Sequence, residues 1–99
     1  MRFVVVVENR PGTDDARKAL HSAHLDYIAA HPEVLIAGSV HGGDRDPKFE
    51  GLWVVEAKDR EAVHVLMEAE PFCAAGHRAA IHIYEFVPPP MFDYLFQTS

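Results

Sequence analysis

His24 and Glu70 are the two residues of this chain whose types and placement could move a proton. His24 falls four residues after Leu20 and four before Ile28, so an imidazole lies on the helical stripe that should turn away from water. Glu70 follows Leu66 by four at the end of a second helical stripe, with Pro71 and Phe72 next. A carboxylate buried there needs a partner. Two helices side by side on a sheet would bring imidazole and carboxylate together near one end. The carboxylate would then fix the ring tautomer and raise its basicity, making His24 a general base or acid with Glu70 as the other half of a catalytic pair. The same two residues also fit a blander arrangement, a satisfied interior histidine and a solvated charge at a helix end. Tyr27, Ser39 and Phe72 are the candidate substrate-binding residues around the pair.

The remaining reactive side chains form no comparable pattern. Of seven histidines, His21, His24 and His31 share one helical segment, but spacings of three and seven are not diagnostic of a metal without a third ligand nearby. His41, His64, His77 and His82 are scattered, so no metal site is expected and no cofactor is required. Gly42-Gly43 precedes neither a helix start nor a Lys-Ser/Thr pair, which makes a hairpin turn the better account than a phosphate loop. Cys73 lies in an apolar stretch four residues before His77, and a structural thiol is the simpler assignment than a nucleophile.

The elements that must position these residues follow from periodicity. Phe3 to Val7 is a β-branched run closed by Glu8-Asn9-Arg10-Pro11-Gly12, a strand and a loop. Thr13 can cap a helix that Asp14 and Asp15 open, and Ala16, Leu20, Ala23, Tyr27 and Ile28 carry it to about His31, where Pro32 stops it. Val34 to Val40 and Gly51 to Ala57 are strands paired as a hairpin across a polar, Gly-rich turn at residues 41–48. Ala62, Val63, Leu66, Ala69 and Glu70 fall on a second helix ending before Pro71. A short connector leads to a last strand, Ala79 to Val87, and Pro88-Pro89-Pro90 precedes an aromatic tail at 91–96. The order is βαββαβ, the α+β split pattern of a ferredoxin-like domain, with a four-stranded antiparallel sheet carrying both helices on one face. Strand one is apolar at every position from Phe3 to Val7, and Leu52 to Val55 are apolar in a row, so both sheet faces should be covered. Two helices cover one face only. The other is expected to meet the sheet of a second copy in a two-fold homodimer.

At 99 residues the chain is expected to be a single domain over 1–99, with 88–99 as its tail. A hydrophobic fraction of 48% with 24% charged residues excludes a disordered segment. A formal charge of −6 argues against nucleic acid as a partner, because that affinity is built from Lys and Arg on phosphates. The apolar run near the start is five residues long, too short for a signal peptide or a membrane span. One cysteine cannot form an internal disulfide, which suits a reducing compartment, and the cytoplasm is the expected location.

His24-Leu25-Asp26-Tyr27, Val34-Leu35-Ile36-Ala37-Gly38, Gly51-Leu52-Trp53, and Glu70-Pro71-Phe72 followed by Gly76 resemble, in order and spacing, the successive landmarks of the YCII-related (YciI-like) family over almost the whole chain. The resemblance implies a dimeric α+β barrel of ferredoxin-like subunits. It also implies an active-site pair formed by the helix-one histidine, here His24, and the acidic residue before Pro-Phe. That residue is Asp in the family and Glu70 here, and Ser39 stands where the family often has Pro. Proteins of similar architecture remove chloride from a chlorinated hydroxyquinol or act on lactones. The expectation is a small-molecule enzyme working by lyase- or isomerase-like proton transfer, dehalogenase-like on cyclic organic compounds. The alternatives are a non-catalytic dimeric module that binds a small molecule, and a structural interaction domain with a filled cleft.

Overall fold

In the computed structural model, residues 1–44 and 49–96 are described, Phe96 by its backbone alone. Four strands, β1 (Arg2–Asn9), β2 (Val34–Ser39), β3 (Gly51–Glu56) and β4 (Arg78–Glu85), form one sheet in the order β2-β3-β1-β4. Every neighbouring pair is antiparallel, and the sequence order of strands and helices gives the α+β ferredoxin-like fold. β2 and β3 pair directly as a hairpin, from Val34 opposite Val55 to Ser39 opposite Gly51. Residues 45–48 of its expected turn lie outside the described residues.

The helix expected from Asp14 to His31 is two helices. α1 (Asp14–Ala19) and α2 (His21–Ala30) are separated at Leu20, whose φ of −99° and ψ of 3° leave the helical region. Leu20 N–H bonds Arg17 O at 3.0 Å, closing a tighter turn, and His24 N–H resumes the ladder on Leu20 O at 2.9 Å. The break changes the inward stripe: Ala16 and Ala23 are exposed, while Arg17, Leu20, His24, Tyr27 and Ile28 are half-buried. Thr13 stands at the N-cap without bonding a helix N–H; its hydroxyl donates to Arg10 O at 2.7 Å and accepts from Arg17 Nη1.

α3 (Arg60–Glu68) is capped by Asp59, which accepts from Ala62 N–H at 2.9 Å. It buries Val63, Leu66 and Met67 against Phe3, Val5, Val7, Val34, Trp53 and Val55. Each such side chain stabilises by about 1.5–3 kcal/mol, so α3 is the helix that clamps the sheet. α2 has no fully buried residue; Tyr27 and Ile28 pack on the core from its side. It is held in addition by polar contacts, among them Tyr27 O–H donating to Leu66 O at 2.5 Å.

The opposite sheet face is uncovered over much of its area. Val4 pairs with Val54 and Tyr84, Val6 with Leu52 and His82, and Ile36 with Val54, so these side chains share that face. Ile36 is 58% exposed and Tyr84 54%. A terminal 3₁₀ helix, Pro90–Phe96, follows the prolines and leaves Met91, Phe92, Tyr94 and Leu95 exposed.

Candidate functional site

Pro71 determines the local geometry at Glu70. A residue before proline is driven out of the helical region, and Glu70 takes φ −63° and ψ 135°. This corrects its expected place in the second helix: Glu70 is not the end of α3 but the N-cap of a four-residue helix, α4 (Pro71–Ala74). Its carboxylate accepts from the N–H groups of Phe72 and Cys73, each at 3.1 Å. Gly76, at φ 79°, turns the chain out of α4, a conformation that suits glycine. His77 O then receives Arg10 N–H at 2.8 Å, tying this segment to the end of β1.

His24 meets Glu70 from α2. Its Nδ1 lies 2.5 Å from Glu70 Oε1, and Glu70 is 0% exposed. Burial is the largest influence on Glu70 and pushes its pKa up. The His24 hydrogen bond, the Phe72 N–H, the Arg78 charge and the Cys73 N–H together outweigh it and hold the carboxyl below its usual range. An ionised carboxylate accepts only, so Nδ1 donates and Nε2 is left as the basic nitrogen. The imidazole stacks on the Phe72 ring at 4.3 Å between centroids and meets the Trp53 ring edge-on at 5.8 Å. Two rings and one hydrogen bond therefore fix its orientation.

His24 lines an open cleft of about 760 Å³ between α1, α2 and the β2–β3 side of the sheet. Ser39, Trp53 and Phe72 line it too, while Glu70 lies behind His24 and reaches the cleft through it. Tyr27 does not line the cleft. Its hydroxyl is committed to Leu66 O, and it borders a second, smaller groove with His31 and Glu33. Burial, reinforced by Glu70, pushes the Cys73 thiol up, which suits a thiol that is not a nucleophile. Among the described residues no three His, Cys, Asp or Glu side chains come together as a metal site.

Arg17, His21, His41 and Arg78 also line the cleft, and the sequence pattern had not placed them there. Arg78 is the instructive one. Ile81 and Ile83 pack on the core, and strict alternation would send Arg78 to the open face. The register shifts by one residue between Glu8 and Asn9, so Arg78 pairs with Asn9 and turns inward, its Nη1 donating to Asn9 Oδ1.

Residues 1–87 match the YCII-related domain. No curated protein matches the chain. Among solved structures, the 5-chloro-2-hydroxyhydroquinone dehydrochlorinase of Burkholderia phenoliruptrix, in complex with 2,5-dihydroxybenzoquinone, superposes with a TM-score of 0.78 at 24% identity, covering 92% of this chain and 98% of that one. A Thermus thermophilus protein gives 0.55 at 19% identity, over 90% and 96% of the two chains. A dimeric ferredoxin-like protein of unknown function from Thermobifida fusca gives 0.50 at 15% identity, over 88% and 89%. At these identities the structures establish a shared fold. Among the described residues no helix is long and apolar enough to cross a membrane.

Proposed function

Because this chain belongs to the YCII-related domain family, we propose that it is a small-molecule enzyme in which His24 moves a proton on a cyclic organic compound, by lyase- or isomerase-like chemistry. The observation that supports this is the 2.5 Å contact between a cleft-lining imidazole and a fully buried carboxylate. Glu70 is the positioning residue: its charge holds the Nδ1 proton and stabilises the imidazolium that forms when Nε2 accepts another. In an elimination, Nε2 would take a proton from the substrate and the leaving group would depart with its bonding electrons. The dehydrochlorinase named above favours a halide as that leaving group. Phe72 and Trp53 would hold the ring, with Ser39 at the cleft wall.

The working unit is proposed to be one domain over 1–99, dimerised through the sheet face that carries Val4, Val6, Ile36 and Leu52. A cytoplasmic setting suits its lone, unpaired Cys73.

The test is turnover of chlorinated and lactone-bearing ring compounds by wild type and His24→Gln. Loss of about 10²-fold or more in rate is expected. Equal turnover by both would remove His24 from the chemistry, turnover by neither would sink the enzyme reading, and a ligand held unchanged by wild type but released by the variant would replace it with a binding module.

A further inference from the structure

Arg78 carries a positive charge whose side chain is 7% exposed, on the wall of the His24 cleft. Its compensation is incomplete. Nη1 donates to Asn9 Oδ1, and Nη2 lies 3.8 Å from Glu70 Oε2, an ion-pair distance beyond hydrogen-bond reach. Nε is buried and has no hydrogen-bond partner among the described residues. Glu70 is already shared among His24 and two backbone N–H groups. A buried guanidinium with an unmet donor and a counter-charge beyond hydrogen-bond reach is under-compensated, and an anion against the part of it that lines the cleft would offset that cost best.

We propose that Arg78 is the specificity-determining anchor of this cleft and takes an ionised oxygen of the ligand, a phenolate, enolate or carboxylate carried on a planar ring. The inference rests on the enzyme reading above and names the substrate class for the same site. Two placements connect it to His24. The Arg78 Cζ lies 5.0 Å from the centroid of the Phe72 ring, and His24 stacks on that ring at 4.3 Å. Both side chains also flank one carboxylate, Glu70. A single small ring can therefore present its charged oxygen to Arg78 and its labile proton to His24. Trp53 and Phe72 border the cleft where the ring would sit. Arg17, on the same cleft, adds positive potential, with Nη1 donating to Thr13 Oγ1 and Nη2 to Asp14 Oδ1.

The experiment is calorimetric titration of the full chain at neutral pH with 2,5-dihydroxybenzoquinone, an anion under those conditions, and with 2,5-dimethoxybenzoquinone, which cannot ionise. Wild type is expected to bind the anion roughly tenfold or more tightly than the ether, as a charge-assisted hydrogen bond predicts. Arg78→Gln should lose that preference while binding the ether unchanged, and Arg78→Lys, which keeps charge without the Nε–H fork, should fall between. If Arg78→Gln does not fold, as judged by circular dichroism, a loss of about threefold or more in preference by Arg78→Lys still supports the anchor. Full preference in the foldable Arg78 variants, equal binding of both probes by wild type, or binding of neither would overturn it. His24→Gln separates this outcome from failure of the enzyme reading: it should abolish turnover and leave the anion preference in place.

Discussion

The imidazole of His24 and the carboxylate of Glu70 meet at 2.5 Å although they are 46 residues apart, one on α2 and the other capping α4. Replacing Glu70 with Gln keeps the shape but offers a neutral acceptor, or an amide N–H after rotation. The ¹H–¹⁵N imidazole spectrum of wild type should then show His24 held as the Nδ1–H tautomer, and Glu70→Gln should show a mixture of tautomers. Turnover, where a substrate is found, should fall with it. An unchanged tautomer in the variant would remove Glu70 from its positioning role.

Glu70 should also leave its mark on acid stability. Its folded pKa is below the ordinary value of 4.5, so as pH falls the unfolded chain takes up this proton before the folded one does. The stability it contributes is complete above that ordinary value and is lost as pH falls through the folded one. Urea titrations from about pH 7 to about pH 3 should therefore show the advantage of wild type over Glu70→Gln shrinking toward the acid end. A constant difference across the series would contradict the assigned charge state.

Gly51 opens β3 opposite Val7, and a Cβ at that position would lie 2.6 Å from Val7 Cγ2. Val7 is fully buried and has little room to yield. Gly51→Ala is expected to cost about 1–3 kcal/mol, read as a lowered melting temperature. Because Gly51 also lines the cleft, ligand affinity should drop alongside stability.

Ile36 is 58% exposed on the open sheet face, so a charge there should leave the protomer folded. With dimerisation through that face, Ile36→Lys shifts a wild-type dimer to monomer at micromolar concentration in light scattering, with an unchanged circular dichroism spectrum. A wild-type monomer would refute the interface outright.

Much of this architecture was legible in the residue pattern, for physical reasons that also explain what was not. Strands announce themselves by β-branched runs bounded by turn residues, and β1 to β4 fall where Phe3–Val7, Val34–Val40, Gly51–Ala57 and Ala79–Val87 indicated, within a residue or two at each end. The inward turn of His24 followed from helical spacing to Leu20 and Ile28. The break at Leu20 did not, since neither glycine nor proline marks it. Tyr27 shared the inward stripe with His24, but its place on the turn after His24 aims it at α3 and Leu66, away from the cleft. Arg78 was hidden by the bulge at Glu8/Asn9, because a one-residue slip reverses the face assigned by alternation. Glu70 was placed by its stripe on α3, whereas Pro71 had already excluded that conformation.

Glu70, Pro71 and Phe72 are consecutive, and between them they supply the carboxylate, the backbone bend that aims it, and the ring on which the imidazole rests. The distance between charge and ring is thereby set by covalent geometry and one short helix rather than by the docking of remote segments. On the proposed function, α1 and Ser39 can change the wall of the cleft while this support beneath His24 is kept. On that proposal, substrate range and proton chemistry would be separable traits of one chain.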